Sequence, residues 1–130
     1  MLATLDRTDE LLLLSSLDVP TLKNLRLALQ TLELLSFPKQ RIRIVLNRAN
    51  TKVGLSKREV ESALKVSMHA EIPSDRAVPV CVNQGNPAVL ADPGCDFSKA
   101  MTNLAKSVAQ SPAQKSKKAD KKRRLSLARS

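Results

Sequence analysis

The sequence predicts an α/β protein that contains half of a doubly wound sheet. Apolar runs of strand length alternate with helical patterns in the order strand, helix, strand, helix, strand. The connections are short, and right-handed crossovers then make the strands parallel with helices on the faces. We therefore expect a three-stranded, mostly parallel βαβαβ unit in residues 1–112, followed within it by C-terminal helices. The last eighteen residues lack an apolar period, which predicts a disordered basic tail over residues 113–130.

The first strand and the first long helix follow from neighbouring leucine patterns. Residues 11–14, in "DELLLLSS", form a short continuous apolar run that predicts a parallel strand buried on both faces. In "LDVPTLKNLRLALQTLELLSFP" leucines recur three and four residues apart, which predicts a helix starting after Asp18 and ending before Pro38. Leu27 and Leu34 widen the apolar surface of this helix, so we expect it to be mostly covered.

The next elements are a central strand, a capped helix and an edge strand. "RIRIVLNRAN" supplies the second strand, and Ser56 with Glu59 has the spacing of a capping box at the start of the second helix. "VSMHAEIP" alternates apolar and polar residues, with Val66, Met68, Ala70 and Ile72 on one face, as in a half-exposed strand near a sheet edge.

Two weaker patterns complete the body of the chain. "SDRAVPVCVNQG" predicts a short helix or pair of turns, capped by Ser74 or Asp75 and closed by Gly85. "DFSKAMTNLAKSVAQ" spaces its apolar residues four, three and four apart, which predicts an amphipathic helix lying against the sheet.

Composition excludes several classes of protein. No run of eighteen apolar residues occurs, and the start "MLATLDRTDE" carries its charges within the first ten residues rather than in a basic segment ahead of an apolar block. We therefore expect neither a membrane span nor a secretory signal, and we expect a cytoplasmic location. Cys81 and Cys95 fit neither zinc-ligand spacing nor a redox motif, and we expect reduced thiols and no metal site. Glycines occur only at 54, 85 and 94, so no phosphate-binding loop is encoded and autonomous nucleotide hydrolysis is not expected.

Single polar residues offer little catalytic chemistry. His69 has no placed nucleophile or second ligand, so we interpret it as a surface or hydrogen-bonded histidine, and Arg48 as a solvated charge. Cys81 is expected in the core and Cys95 near the surface. Carboxylates next to turns and helix starts are interpreted as caps, namely Asp18, Asp75, Asp92 and Asp96. We assign no catalytic residue.

Three ordered blocks resemble a known family. "DELLLLSSLDVPTLKNLRLALQTLELL", "IRIVLNRANTKVGLSKREVESAL" and "EIPSDRAVPVCVNQGNPAVLADP" are similar to the carboxyl-terminal half of ParA/MinD-superfamily P-loop ATPases, most of all to the CpaE/TadZ branch associated with pilus assembly and its positioning. The similarity covers roughly residues 3–109. It implies a P-loop NTPase-like sheet half whose phosphate loop and Mg²⁺-binding aspartate strand would lie upstream of Met1.

The resemblance also implies a site for the base of ATP. In the family, the Asn of the "N-R" pair contacts the adenine edge and the "I-P-x-D" turn flanks the base, which places Asn47, Pro73, Ser74 and Asp75 in the site. An amide offers both a donor and an acceptor, as adenine does. The alternative is that Asn47 closes the turn after its strand. The cofactor implied is ATP, on its adenine side only.

The tail carries most of the net charge. Of the chain's +10, residues 113–130 contribute +7, from eight basic residues and Asp120. Flexible polycations bind nucleic acid or anionic lipid by counterion release, and the alternative is a solubilising terminus. Few aromatic residues are present to stack on bases. The candidate polyanion-binding residues are Lys115, Lys117, Lys118, Lys121, Lys122, Arg123 and Arg124.

The sequence thus predicts a truncated or split CpaE-like ATPase domain that keeps the adenine side and does not hydrolyse ATP alone. An incomplete reading frame of a full ATPase is an alternative, and so is a small basic module that binds nucleic acid or anionic membrane through its tail. The expected partners are the phosphate-binding half or another subunit, with pilus-assembly machinery implied by the resemblance. Peripheral binding at the inner face of the membrane is an alternative location. In the family the phosphate-loop strand lies beside the first strand, so we expect an apolar edge there and association of the isolated chain.

Overall fold

The computed structural model describes residues 2–51 and 54–110, and in this part of the chain three parallel strands form one open sheet. The strands are β1 (Leu11–Ser15), β2 (Ile42–Asn47) and β3 (Met68–Ile72), in the order β1-β2-β3. A 3₁₀ turn at Lys39–Arg41 leads into β2. The helices are α1 (Leu2–Asp6), α2 (Val19–Leu34), α3 (Lys57–Leu64), α4 (Ala77–Asn83), α5 (Ala88–Ala91) and α6 (Asp96–Ala109). The predicted α/β class and the parallel βαβαβ order are confirmed.

Local capping explains where α2 and α3 begin. The Asp18 carboxylate accepts the Thr21 backbone N–H at 2.9 Å and so satisfies one of the free donors of the first turn of α2. At α3 the predicted capping box is present, because Glu59 accepts the Ser56 backbone N–H at 2.8 Å while Ser56 accepts that of Glu59. Both starts were predicted correctly.

The main core lies between one face of the sheet and helices α2 and α3. Ile44 and Leu46 point to this face and pack with Leu25 of α2 and Val60 of α3, all of them buried. A second cluster extends the core toward the amino end of the strands, where Leu32, Phe37 and Ile42 pack together. Alternate residues of β2 point the other way.

Helix α6 covers part of the opposite face of the sheet, mainly over β3. Arg43 points to this face and donates through Nη1 to Ser107 Oγ of α6 at 2.6 Å. Its Nη2 atom also forms an ion pair of 2.9 Å with Glu10, and both side chains are largely buried. The predicted packing of α6 against the sheet is confirmed, and helices lie on both faces of the sheet.

Strand β3 is the half-exposed edge strand that was predicted, but a bulge moves Met68 and Ala70 to opposite faces of the sheet. Ile44 pairs with Met68, whereas the next residue, Val45, pairs with Ala70, so His69 is an extra residue. Met68 therefore packs with α2 and α3, while Ala70 shares the opposite face with Val45. His69 Nδ1 accepts the Ile44 backbone N–H at 3.1 Å, as expected for a hydrogen-bonded histidine.

Two predictions of burial are wrong. Strand β1 lies at a sheet edge and is not buried on both faces, because Leu14 is 66% exposed on the face that α6 leaves open. Helix α2 is not mostly covered, since only Leu25 and Leu32 of its residues are buried, whereas Leu27 and Leu34 are exposed. Both errors have the same cause: the sequence shows apolar surface but not whether a neighbouring element covers it.

The short helices around α4 were partly predicted. Cys81 of α4 is buried as expected, and Gly85 follows the helix with a positive φ of 69°, which favours glycine. Helices α1 and α5 were not predicted, because they span only five and four residues. The predicted tail, with its candidate polyanion-binding residues, lies outside the described residues.

Candidate functional site

The carboxyl ends of β2 and β3 meet at one edge of the sheet, where open α/β sheets bind their ligands. Asn47, the last residue of β2, pairs with Ile72, the last residue of β3. The backbone N–H of Ala49 then donates to the Ile72 carbonyl at 3.0 Å, which continues the contact beyond the strands. The predicted residues Pro73, Ser74 and Asp75 follow directly, so the structure brings them close to Asn47.

The Asn47 side chain is exposed, and its amide oxygen is bound by the backbone of the next residue. Its Oδ1 atom accepts the Arg48 N–H at 3.0 Å, and Arg48 has a positive φ of 54°, as in a tight turn. Asn47 thus closes the turn after its strand, which is one of the two interpretations the sequence left open. Its Nδ2 atom makes no hydrogen bond within the described residues, so this amide still offers donors to solvent or a ligand.

Asn50 holds this edge together, although sequence reasoning gave it no role. Its Nδ2 donates to the Ser74 carbonyl at 3.1 Å and its Oδ1 accepts the Ser74 N–H at 2.7 Å. Both ends of one amide therefore fix the loop after β2 to the turn after β3. The available signal was an asparagine three residues beyond a strand end, but the sequence does not show which distant backbone it binds.

Asp75 accepts a backbone N–H at the start of α4. Its Oδ1 accepts the Ala77 N–H at 2.9 Å, at the beginning of α4. The pKa of Asp75 lies below its ordinary value, chiefly because of that bond and further because of the backbone N–H groups of Phe97 and Asp96, although partial burial opposes the shift. The bond to Ala77 at the start of α4 agrees with the predicted capping role of Asp75, although Arg76 occupies the N-cap position itself.

Cys95 and Ser98 organise the start of α6 next to Asp75. The Cys95 sulfur accepts the Ser98 N–H at 3.4 Å as the N-cap of α6. The buried Ser98 hydroxyl donates to the Ala88 carbonyl at 3.0 Å, which ties α5 to α6. Cys95 is half-buried and both cysteines are free thiols. No group of three or more metal-ligating side chains comes together in residues 2–51 and 54–110.

Comparison with known proteins gives structural matches only. No protein-family model and no curated protein matches the chain. A ParA family ATPase from Chlorobium tepidum TLS matches with a TM-score of 0.74 and 25% identity, over 80% of this chain and 44% of that one. The chain has a ParA/MinD-type fold. This type of fold is P-loop NTPase-like, and the sheet described above corresponds to part of it.

Two further ParA/MinD-type structures agree with this assignment. MinD of Aquifex aeolicus matches with a TM-score of 0.67 and 20% identity, over 79% of this chain and 44% of that one. MinD of Pyrococcus horikoshii OT3, complexed with Mg-ADP, matches with a TM-score of 0.66 and 21% identity, over 78% of this chain and 42% of that one. The chain spans less than half the length of the solved structures it matches. None of the described helices is long and apolar enough to cross a bilayer.

Proposed function

We propose that the chain is the adenine-side part of a ParA/MinD-type ATP-binding domain. The observation that carries this proposal is the Asn47 amide, exposed at the carboxyl end of β2 beside the turn that Asn50 fixes. The ParA/MinD-type fold supports it, as does the solved MinD that contains Mg-ADP. The three sequence blocks further favour a CpaE/TadZ-like role in pilus assembly or polar positioning.

Asn47 would read the base, and the turn formed by Pro73, Ser74 and Asp75 would flank it. The Nδ2 donor of Asn47 is available for an acceptor nitrogen of adenine, and Oδ1 can exchange the Arg48 N–H for the adenine amino group. Asn50 would act as a positioning residue, since its two hydrogen bonds to Ser74 hold the turn beside Asn47.

The triphosphate would be bound elsewhere. The 130 residues contain no glycine-rich phosphate loop with a lysine, so the clustered N–H donors that such a loop supplies are not encoded in them. We therefore expect this chain, on its own, not to hydrolyse ATP. Its partner would be the phosphate-binding half of the domain or another subunit. The MinD of Aquifex aeolicus solved with MinC shows one such ATPase working with a partner.

Nucleoside binding tests the base site without involving phosphate. Isothermal titration of the full chain with adenosine should show weak binding, and guanosine should bind less well because its edge reverses the donor and acceptor. Asn47→Ala should weaken adenosine binding about tenfold, since loss of one or two hydrogen bonds costs about 1.4 kcal/mol. Asn103→Ala, at an exposed asparagine on α6, is the matched control and should bind as the unchanged chain does.

The outcome with the triphosphate distinguishes base recognition from charge attraction. At high salt, where the basic tail contributes little, adenosine and ATP should bind with affinities within about threefold of each other. Equal binding of adenosine to the Asn47→Ala and Asn103→Ala variants would contradict the proposed role of Asn47. Mg²⁺-dependent ATP turnover by the purified chain would contradict the absence of a phosphate site.

We infer a second activity, polyanion binding, from the concentration of charge in residues 113–130. Seven of the ten net positive charges lie in this tail. The affinity for a duplex DNA of random sequence should therefore fall steeply between 50 and 200 mM salt, by about 10³-fold if six contacts form. Deleting residues 113–130 should abolish this binding, and unaltered binding would contradict the inference. Vesicles with anionic lipid test the alternative location at the membrane.

A further inference from the structure

A groove of about 590 Å³ opens between α2 and α3, far from the carboxyl edge of the sheet. It exists because the two helices differ in length. Helix α2 has 16 residues and α3 has eight, so α2 extends about 12 Å further over the sheet at 1.5 Å per residue. Parallel sheets usually have both faces covered by helices, but none of the helices in residues 2–51 and 54–110 covers the sheet for about two turns beside this end of α2.

The floor of the groove is apolar. Leu29 of α2, Ile42 and Ile44 of β2 and Val66 before β3 line it. Leu29 and Val66 remain partly exposed, although both pack against the buried core. A ligand that covered this floor would therefore remove apolar surface from water without any rearrangement of the core.

The rim of the groove carries an excess of positive charge. Arg26 and Lys65 stand on its two sides, and neither has an ion-pair partner among the described residues. Glu33 also lines the groove, but Lys39 pairs with it at 2.7 Å. The exposed imidazole of His69 adds a donor, since its Nδ1 accepts the Ile44 N–H and a neutral ring then carries its proton on Nε2.

We propose that this groove binds an acidic amphipathic helix of a partner protein. About two turns of such a helix would fill the space beside α2, with leucine-like side chains on the apolar floor and carboxylates facing Arg26 and Lys65. The chain's own residues 111–130 do not fit this charge pattern, because they are strongly basic. The proposal is independent of nucleotide binding, since the groove lies at the other end of the strands.

A synthetic peptide tests the proposal on the full 130-residue chain. The probe is a fluorescein-labelled helical peptide of about 16 residues, with leucines three and four apart and glutamates on both flanks. A scrambled peptide of the same composition has no apolar stripe but equal charge, so it measures attraction to the basic tail. Fluorescence anisotropy should show at least about tenfold tighter binding of the patterned peptide.

Two matched double variants locate the binding. Arg26→Glu with Lys65→Glu reverses the rim charges and should weaken binding about tenfold or more, because each reversal replaces attraction by repulsion. Lys23→Glu with Lys106→Glu changes the net charge equally at exposed positions outside the groove and should affect both peptides alike. Ala63→Trp, at an exposed groove position, should block binding while circular dichroism and the melting temperature remain unchanged.

Several outcomes would overturn the proposal. The first is equal binding of the patterned and scrambled peptides, and the second is an equal effect of the two double variants. The third is no binding of the patterned peptide at 1 mM, because a dissociation constant of about 1 mM is the weakest that the proposal allows. Groove-dependent binding of the small anionic dye 8-anilinonaphthalene-1-sulfonate without binding of the peptide would assign the groove to a small molecule instead.

Discussion

His69 links the bulge of β3 to the centre of the sheet. Its imidazole accepts the N–H of Ile44, next to the point where the pairing between β2 and β3 shifts by one residue. The sequence correctly indicated a hydrogen-bonded histidine, but it could not show that the partner was the neighbouring strand. The Nδ1 atom of this side chain therefore has a structural role in the sheet.

Removing that nitrogen should lower stability. His69→Ala leaves the partly buried Ile44 N–H without its acceptor, and we expect the free energy of unfolding to fall by about 1 kcal/mol. Urea denaturation followed by circular dichroism measures it. Ser67→Ala, at an exposed position just before β3, should change it by less than about 0.5 kcal/mol. If His69→Ala lowered the free energy of unfolding no more than Ser67→Ala does, the imidazole would not be needed to stabilise the bulge.

Asp18 should make part of the stability depend on pH. Hydrogen bonds from Ser16 and from the side chain and backbone of Thr21 lower the pKa of Asp18 from 3.8 to about 2. Because the folded pKa lies below the unfolded one, this contribution is complete above about pH 4 and is lost as the pH falls toward 2. Asp18→Asn keeps an acceptor for the Thr21 N–H but does not titrate.

The difference in melting temperature between the unchanged chain and Asp18→Asn isolates that contribution from the other carboxylates. It should be constant from pH 7 to about pH 4 and should then shift in favour of the variant as the pH approaches 2. Asp18→Ala, which removes the cap, should lower the melting temperature at pH 7 by about 5 °C. A difference that does not vary with pH would be inconsistent with a lowered pKa for Asp18.

Helices were predicted best where their start signals are local. The cap at Asp18 and the capping box at Ser56 and Glu59 each involve residues three apart, so the sequence alone contains them. Burial depends on distant elements and was predicted less well. Leu25 and Leu34 have the same side chain in the same helix, yet they are 4% and 86% exposed.

That contrast predicts opposite effects of substitution within α2. Leu25→Ala should destabilise the chain by about 3 kcal/mol, because it removes buried methyl groups and leaves a cavity. Leu34→Lys should change stability by less than about 0.5 kcal/mol, since the side chain is already in water. Denaturant midpoints of both variants provide the measurement. A large loss for Leu34→Lys would indicate that another element covers this end of α2.

For the molecule as a whole, the order of elements could be predicted but the tertiary contacts of the site could not. Asn47 and the turn from Pro73 to Asp75 converge because parallel strands end at the same edge, which follows from topology. The Asn50 bonds to Ser74 span 24 residues, and no local pattern encodes them. The groove depends on the different lengths of α2 and α3, and the sequence predicted only where α3 begins. The groove forms because both helices lie on one face of the sheet.

The open edge of β1 should make the chain associate. On the side away from β2, the backbone of β1 has no neighbouring strand in the described part of the chain, and Leu14 is exposed beside it. This combination invites pairing with another chain. Sedimentation equilibrium should therefore show a mass that rises with concentration. Leu14→Lys should reduce this association because a lysine on an edge strand disfavours pairing. Leu90→Lys removes a leucine of α5 that is also exposed, and it should leave the association unchanged. A monomeric mass for the unchanged chain at high concentration would mean that this edge is already protected.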